Sequence, residues 1–148
     1  MLVSCLVHIF NSKRRTGGIK INSTVLASKR FITFGALFAM IATILGAFAA
    51  HGLKTQLSDV QMDVFKTGVF YQMIHSLALL FDGMLLMQFN NRFIYISGWL
   101  FLAGIFFFSG SLYLMTLFTV KAIGIVTPVG GLFFILGWFL LAIGIHKA

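Results

Sequence analysis

The stretch from Gly68 to Phe89, GVFYQMIHSLALLFDGMLLMQF, constrains this chain more than any other. At a rise of ~1.5 Å per residue it is about long enough to cover the ~30 Å of hydrocarbon in a bilayer. Unlike an ordinary apolar span, it carries Tyr71, Gln72, His75 and Asp82. At ~100° per residue these four fall within roughly a third of a helix circumference. Turned to lipid they would have no partners, at a cost of several kcal/mol each. The spacing therefore predicts that all four point at other helices, which the rest of the chain must supply.

Composition supports that demand. Hydrophobic residues make up 59% of the chain and charged ones only 9%, with a mean hydropathy of +1.01. Soluble domains carry about 25% charged residues, and a chain of 148 residues has too little interior for so much apolar surface. The expected class is all-α: a single integral membrane domain built as a four-helix bundle. A net charge of +8 raises nucleic acid as a partner, but the distribution of charge excludes it. Lys13, Arg14, Arg15, Lys20, Lys29 and Arg30 precede the first span, and no acid occurs before Asp59. A basic segment beside a span is an anchor on anionic lipid. The single cysteine, Cys5, allows no internal disulfide.

Residues 1–30 read as a basic, poorly ordered tail. The apolar run MLVSCLVHIF precedes the basic cluster, the reverse of a secretory signal, and is too short to span. In a eukaryote the same composition would suit a mitochondrial transit peptide and an organelle membrane. The first span is expected over about 31–50, where Gly35, Ala39, Ala42, Gly46 and Ala50 form a small-residue stripe for close helix packing. His51-Gly52 should end it, with Gly52 in the left-handed position that follows a helix. Beyond it, Leu53, Leu57, Val60 and Val64 repeat at helical spacing among charged residues, which predicts a short interfacial amphipathic helix. Ser58 and Gln61 have the spacing of a capping box.

The second span is placed at about 68–89. Asn90-Asn91-Arg92 is too short a link for anything but antiparallel neighbours. The third span is expected at about 93–118, with Ser97, Gly104 and Ser111 seven apart and their hydroxyls as partners for Gln72 or His75. Ser109 and Tyr113 extend that polar potential. Thr127 is the expected N-cap of the last span, about 128–146, with Pro128 in its first turn. Gly130, Gly137 and Gly144 repeat along one of its faces and Trp138 lies on another. Four spans put both termini on one side. That side holds eight of the Lys and Arg residues (the tail, Arg92 and Lys147), against Lys54, Lys66 and Lys121 on the other, so both termini are expected in the cytoplasm.

Asp82 is the sharpest candidate for chemistry, because an ionisable group at mid-membrane is a functional-site hypothesis by default. With His75 two turns earlier, a proton or cation relay can be drawn. The competing reading makes Asp82 a purely structural bond, favoured by the lack of a second intramembrane acid or of any intramembrane Lys or Arg. His75, with Tyr71 and Gln72, reads first as an interhelical hydrogen-bond cluster. No metal site, cofactor or catalytic set is expected: the histidines near the spans are His51 and His75, with no cysteine beside them, and no nucleophile–base pair or phosphate loop occurs.

Four strings together resemble a known family. They are GAFAAHGL (Gly46–Leu53), TGVFYQMIHSLALL (Thr67–Leu80), SGSLYLM (Ser109–Met115) and TPVGGLFFILGW (Thr127–Trp138). In this order and spacing they resemble the family called domain of unknown function 423, small four-span membrane proteins whose eukaryotic relatives are named transmembrane protein 256. The resemblance covers about residues 31–147. It maps the family's motif onto Gly46, His51, Gly52, Tyr71, Gln72, His75, Ser109, Gly110, Ser111, Thr127, Pro128, Gly130, Gly131 and Trp138. Ala49 stands where a glycine is usual, and Asp82 lies outside the motif. The resemblance implies a bacterial-type inner-membrane protein and no activity.

The first functional expectation is a non-enzymatic accessory or structural membrane protein. Its partners would be lipid, other membrane proteins or a second copy. The alternative is a small proton- or cation-coupled transporter or channel using Asp82 and His75, with Gln72 and Tyr71 along the path. A weaker third is a groove for lipid or a hydrophobic ligand lined by phenylalanines.

Overall fold

The structure, a computed structural model, describes residues 23–118 and 121–148. Among them the chain forms four long helices, each apolar enough to cross a membrane. These are α1 (Ser23–His51), α2 (Asp59–Phe89), α3 (Arg92–Leu117) and α4 (Thr127–His146). A π-helical segment, Ile105–Ser109, interrupts α3 between its α-helical parts Arg92–Gly104 and Gly110–Leu117. A 3-10 turn, Lys121–Ile125, leads into α4.

Residues 23–30, expected in the tail, are already helical, with Ala27 and Ser28 buried; residues 1–22 lie outside the described part. The separate interfacial helix is not found. Residues 52–58 make turns, and the amphipathic stretch from Asp59 onward is the opening of α2 itself. The reason is local. Ser58 and Gln61 form the expected reciprocal cap, at 3.1 and 3.3 Å, and no Gly or Pro breaks the chain between it and the span. Gly52 has no left-handed backbone; that conformation falls to Asn90 (φ 40°, ψ 45°), which closes α2. α4 begins at Thr127 with Pro128 in its first turn, but its N-cap is Val126 with no side-chain bond. The Thr127 hydroxyl lies instead 2.7 Å from that of Ser111 on α3.

Each outer helix leans mainly on its neighbour in sequence, α1 on α2 and α4 on α3, with α2 and α3 between them. Small residues allow both seams to close. A Cβ on Gly35 would stand 2.8 Å from the Ser76 carbonyl oxygen, and one on Gly83 2.9 Å from that of Ser28, so α1 and α2 meet backbone to backbone. The α1 stripe runs through Gly35, Ala42 and Ala49, all buried, whereas Ala50 is exposed. On the other seam Gly130 meets the Phe108 backbone, Gly137 the Phe101 ring and Gly144 Ile94. The main core gathers Phe31, Leu79, Leu86, Ile94, Phe101 and Phe134, and a smaller one gathers Ala49, Leu53 and Phe65.

Candidate functional site

The polar residues of α2 are drawn inward by the arc they share, but not equally. Gln72, His75 and Asp82 are 3%, 4% and 0% exposed, and Tyr71 is 38% exposed. The expectation for Tyr71 is thus corrected. The wholly buried arc of α2 runs through Leu79 and Gly83, and Tyr71 stands at its rim, roughly 80–120° away on the wheel. Its ring packs on Phe108, with centroids 4.6 Å apart.

Gln72 bridges two helices. Its Nε2 donates to the Phe38 carbonyl on α1 at 2.9 Å, and its Oε1 accepts from the Tyr113 hydroxyl on α3 at 2.9 Å. An amide suits this place because it offers a donor and an acceptor at once. His75 reaches α4. Its Nδ1 lies 2.8 Å from the Tyr71 carbonyl, so that nitrogen carries the proton, and Nε2 is left to accept from Trp138 Nε1 at 3.2 Å. The imidazole also stacks on Phe134, with centroids 3.4 Å apart and planes 9° from parallel. Both ring nitrogens are therefore employed.

Asp82 reaches α3. Its Oδ1 accepts from the Ser97 hydroxyl at 2.5 Å, and that hydroxyl also lies 2.7 Å from the Ile94 carbonyl, so its one proton serves one acceptor at a time. Asp82 Oδ2 has no hydrogen-bond partner, and a Cβ on Gly98 would stand 2.6 Å from it. Phe31 closes the same spot from α1. Among the described residues no three His, Cys, Asp or Glu side chains gather as metal ligands.

The hydroxyls expected to answer Gln72 and His75 do other work. Ser97 serves Asp82, and Ser111 serves the Phe108 carbonyl and Thr127. The seven-residue spacing fixes which face these serines share, but not their depth. Sequence reasoning had no claim on Trp138 as the partner of His75, although its indole N–H needed a buried acceptor. Ser109, within the π segment, is buried with its hydroxyl unpartnered, and no atom lies within 4 Å of a Cβ placed on Gly110. His51 is exposed at the end of α1, and Gly131 faces the α2–α4 groove.

Three cavities bear on what the bundle can do. One of about 370 Å³ opens between α2 and α4 along Phe70, Tyr71, His75, Phe134 and Trp138. A second, about 340 Å³, lies by the α1–α2 connection near Lys54, Asp59 and Lys66. The third, about 300 Å³, lies at the opposite end among Thr24, Asn90 and Arg92. Asp82 lines none of the three.

The sequence pattern of the family described as "Protein of unknown function (DUF423)" matches residues 45–131. The chain is 46% identical to a UPF0382 membrane protein of Staphylococcus aureus (strain bovine RF122 / ET3-1), over 80% of this chain and 97% of that protein. It is 39% identical to the UPF0382 membrane protein YwdK of Bacillus subtilis (strain 168), over 80% of this chain and 98% of that protein. No solved structure matches the chain.

Proposed function

Because the chain belongs to the DUF423 family of multi-pass membrane proteins, we propose that it is a non-enzymatic accessory protein of the bacterial inner membrane, with both termini in the cytoplasm. One observation carries this reading: three buried polar side chains of α2, Gln72, His75 and Asp82, each bond to a neighbouring helix. Gln72 joins α2 to α1 and α3, Asp82 joins it to α3, and His75 joins it to α4. Those are the bonds of a rigid scaffold, with interhelical contacts of about 0.6 kcal/mol each on average. The side carrying Lys29, Arg30, Arg92 and Lys147 supports the orientation. A rigid, close-packed bundle of this kind acts by holding other membrane proteins in place.

Transport finds no support in the geometry, since Asp82 is enclosed by Phe31, Gly98 and Ser97. The decisive measurement is ion flux. Purified protein in liposomes should pass no more protons or sodium than empty vesicles under an imposed gradient. A flux that disappears in Asp82→Asn overturns the proposal. Cysteine labelling at the C-terminus in intact and opened cells checks the orientation.

A further inference from the structure

The cavity at the basic end has the shape and chemistry of a ligand site. The start of α1, the close of α2 and the start of α3 converge there, and Thr24, Leu86, Asn90, Asn91, Arg92 and Tyr95 line about 300 Å³. The place is held firmly. Thr24 Oγ1 donates to Asn90 Oδ1 at 2.7 Å, tying α1 to the α2–α3 turn. Asn91 Oδ1 accepts from the Phe93 amide at 2.8 Å, and its Nδ2 donates to the Gly144 carbonyl at 3.1 Å, tying the same turn to α4. Asn90 and Asn91 are thus committed to the scaffold, and Arg92 is left as the charged group on the wall.

Among the described residues no side-chain carboxylate stands at this end of the bundle. The sequence contains three acids. Asp59 and Asp63 lie at the other end of α2, and Asp82 is buried at the Ser97 contact. Neither α1 nor α3 has an acid in its first turn, while Lys29 and Arg30 stand exposed on α1 nearby. The described side chains thus leave Arg92 open to an anion from outside the protein. The level in the membrane is also informative. Tyr95 and Trp99 stand half-exposed on α3 at this end, packed around Phe31, as aromatic side chains do at the headgroup boundary. Leu86 gives the cavity an apolar floor below its polar rim.

We propose that this cavity binds a phosphate-bearing anion, held by Arg92 with Thr24 and Tyr95 beside it, and that its natural source is the headgroup of an anionic phospholipid. The Arg92 guanidinium takes the phosphate oxygens, for which its planar donors are well matched. Leu86 meets the first carbons of the acyl chain. Such a site differs from a diffuse attraction of basic residues to the bilayer surface, because one arginine in a formed cavity dominates it. The inference rests on the membrane reading of the bundle, but not on which side of the membrane this end faces.

The test is native mass spectrometry of the full chain in mild detergent. It is titrated with phosphatidylglycerol, with phosphatidylcholine and, in a separate arm, with inorganic phosphate. Phosphatidylglycerol should bind in one-to-one stoichiometry, and phosphatidylcholine should not. Arg92→Gln should weaken that binding by about five-fold, whereas Lys29→Gln, which removes an equal charge outside the cavity, should leave it within about two-fold. Inorganic phosphate competing at equal affinity would assign the site to the free anion and overturn the lipid source. Equal losses in the two variants, or equal binding of the two lipids, would overturn the site itself. Arg92→Lys, which keeps the charge but not the planar donors, should fall between native protein and Arg92→Gln. None of these outcomes bears on ion flux, so a failure here stays distinct from a failure of the scaffold reading.

Discussion

Gln72 and Asp82 occupy the same helix, about 15 Å apart along its axis, and both are hidden from the bilayer, yet they end in opposite conditions. Gln72 is met on both its atoms by two different helices. Asp82 is met on one atom by one serine, and its other oxygen faces the α-carbon of Gly98 and the Phe31 ring. The contrast teaches that burial alone does not determine what a polar group contributes inside a membrane. A carboxamide can join a donor helix to an acceptor helix, while a carboxyl group depends on the hydroxyls that happen to lie within its reach.

If that distinction is sound, substitutions along α2 and its neighbours should fall in a definite order. Gln72→Leu should cost the most, about 2 kcal/mol, because it breaks two interhelical bonds and strands the Tyr113 hydroxyl. Unfolding in mixed detergent micelles measures it, and Tyr113→Phe made on top should add little, since the partner is already gone. Gly98→Ala should come next, at about 1.5 kcal/mol, by driving a methyl group against the Asp82 carboxyl and the Phe31 ring. Restored stability in the double variant Gly98→Ala with Asp82→Ala would trace that loss to the carboxyl contact.

Asp82→Asn should cost about 1 kcal/mol, because the new NH2 group finds no acceptor beside Gly98. A loss as large as that of Gln72→Leu would erase the contrast between the two residues. The smallest effect is expected of Trp138→Phe, about 0.6 kcal/mol for the bond to His75 Nε2, with the ring packing on Phe101 retained. Unfolding in the same mixed micelles measures it.

Much of this architecture was legible in the residues. The spans could be read because hydrocarbon tolerates so few polar groups. The cap at Ser58 and Gln61 could be read because its bonds are made within one turn, and the Gly35 stripe because small residues at helical spacing have few other uses. What escaped reading was set by contacts across the bundle. The pairing of Ser97 with Asp82, rather than with Gln72, depends on how deep α3 sits beside α2. The π segment at Ile105–Ser109 lies where Gly130 presses on the Phe108 backbone, and no local pattern announces it. Tyr71 was assigned to the interior because the four polar positions share an arc, but the edge of an arc is decided by the neighbour that does or does not cover it.

The pairing of each outer helix with the next in sequence has a consequence for biogenesis. As successive crossings leave the insertion machinery, α2 and α4 each find their principal companion in the one just delivered, so the chain can assemble in order with little searching. Of the bonds that α2 makes, the one that must wait for the final crossing is to α4, where the His75 imidazole, the Phe134 ring and the Trp138 indole come together. That aromatic clasp is the latch which tells a finished bundle from one still missing its last segment.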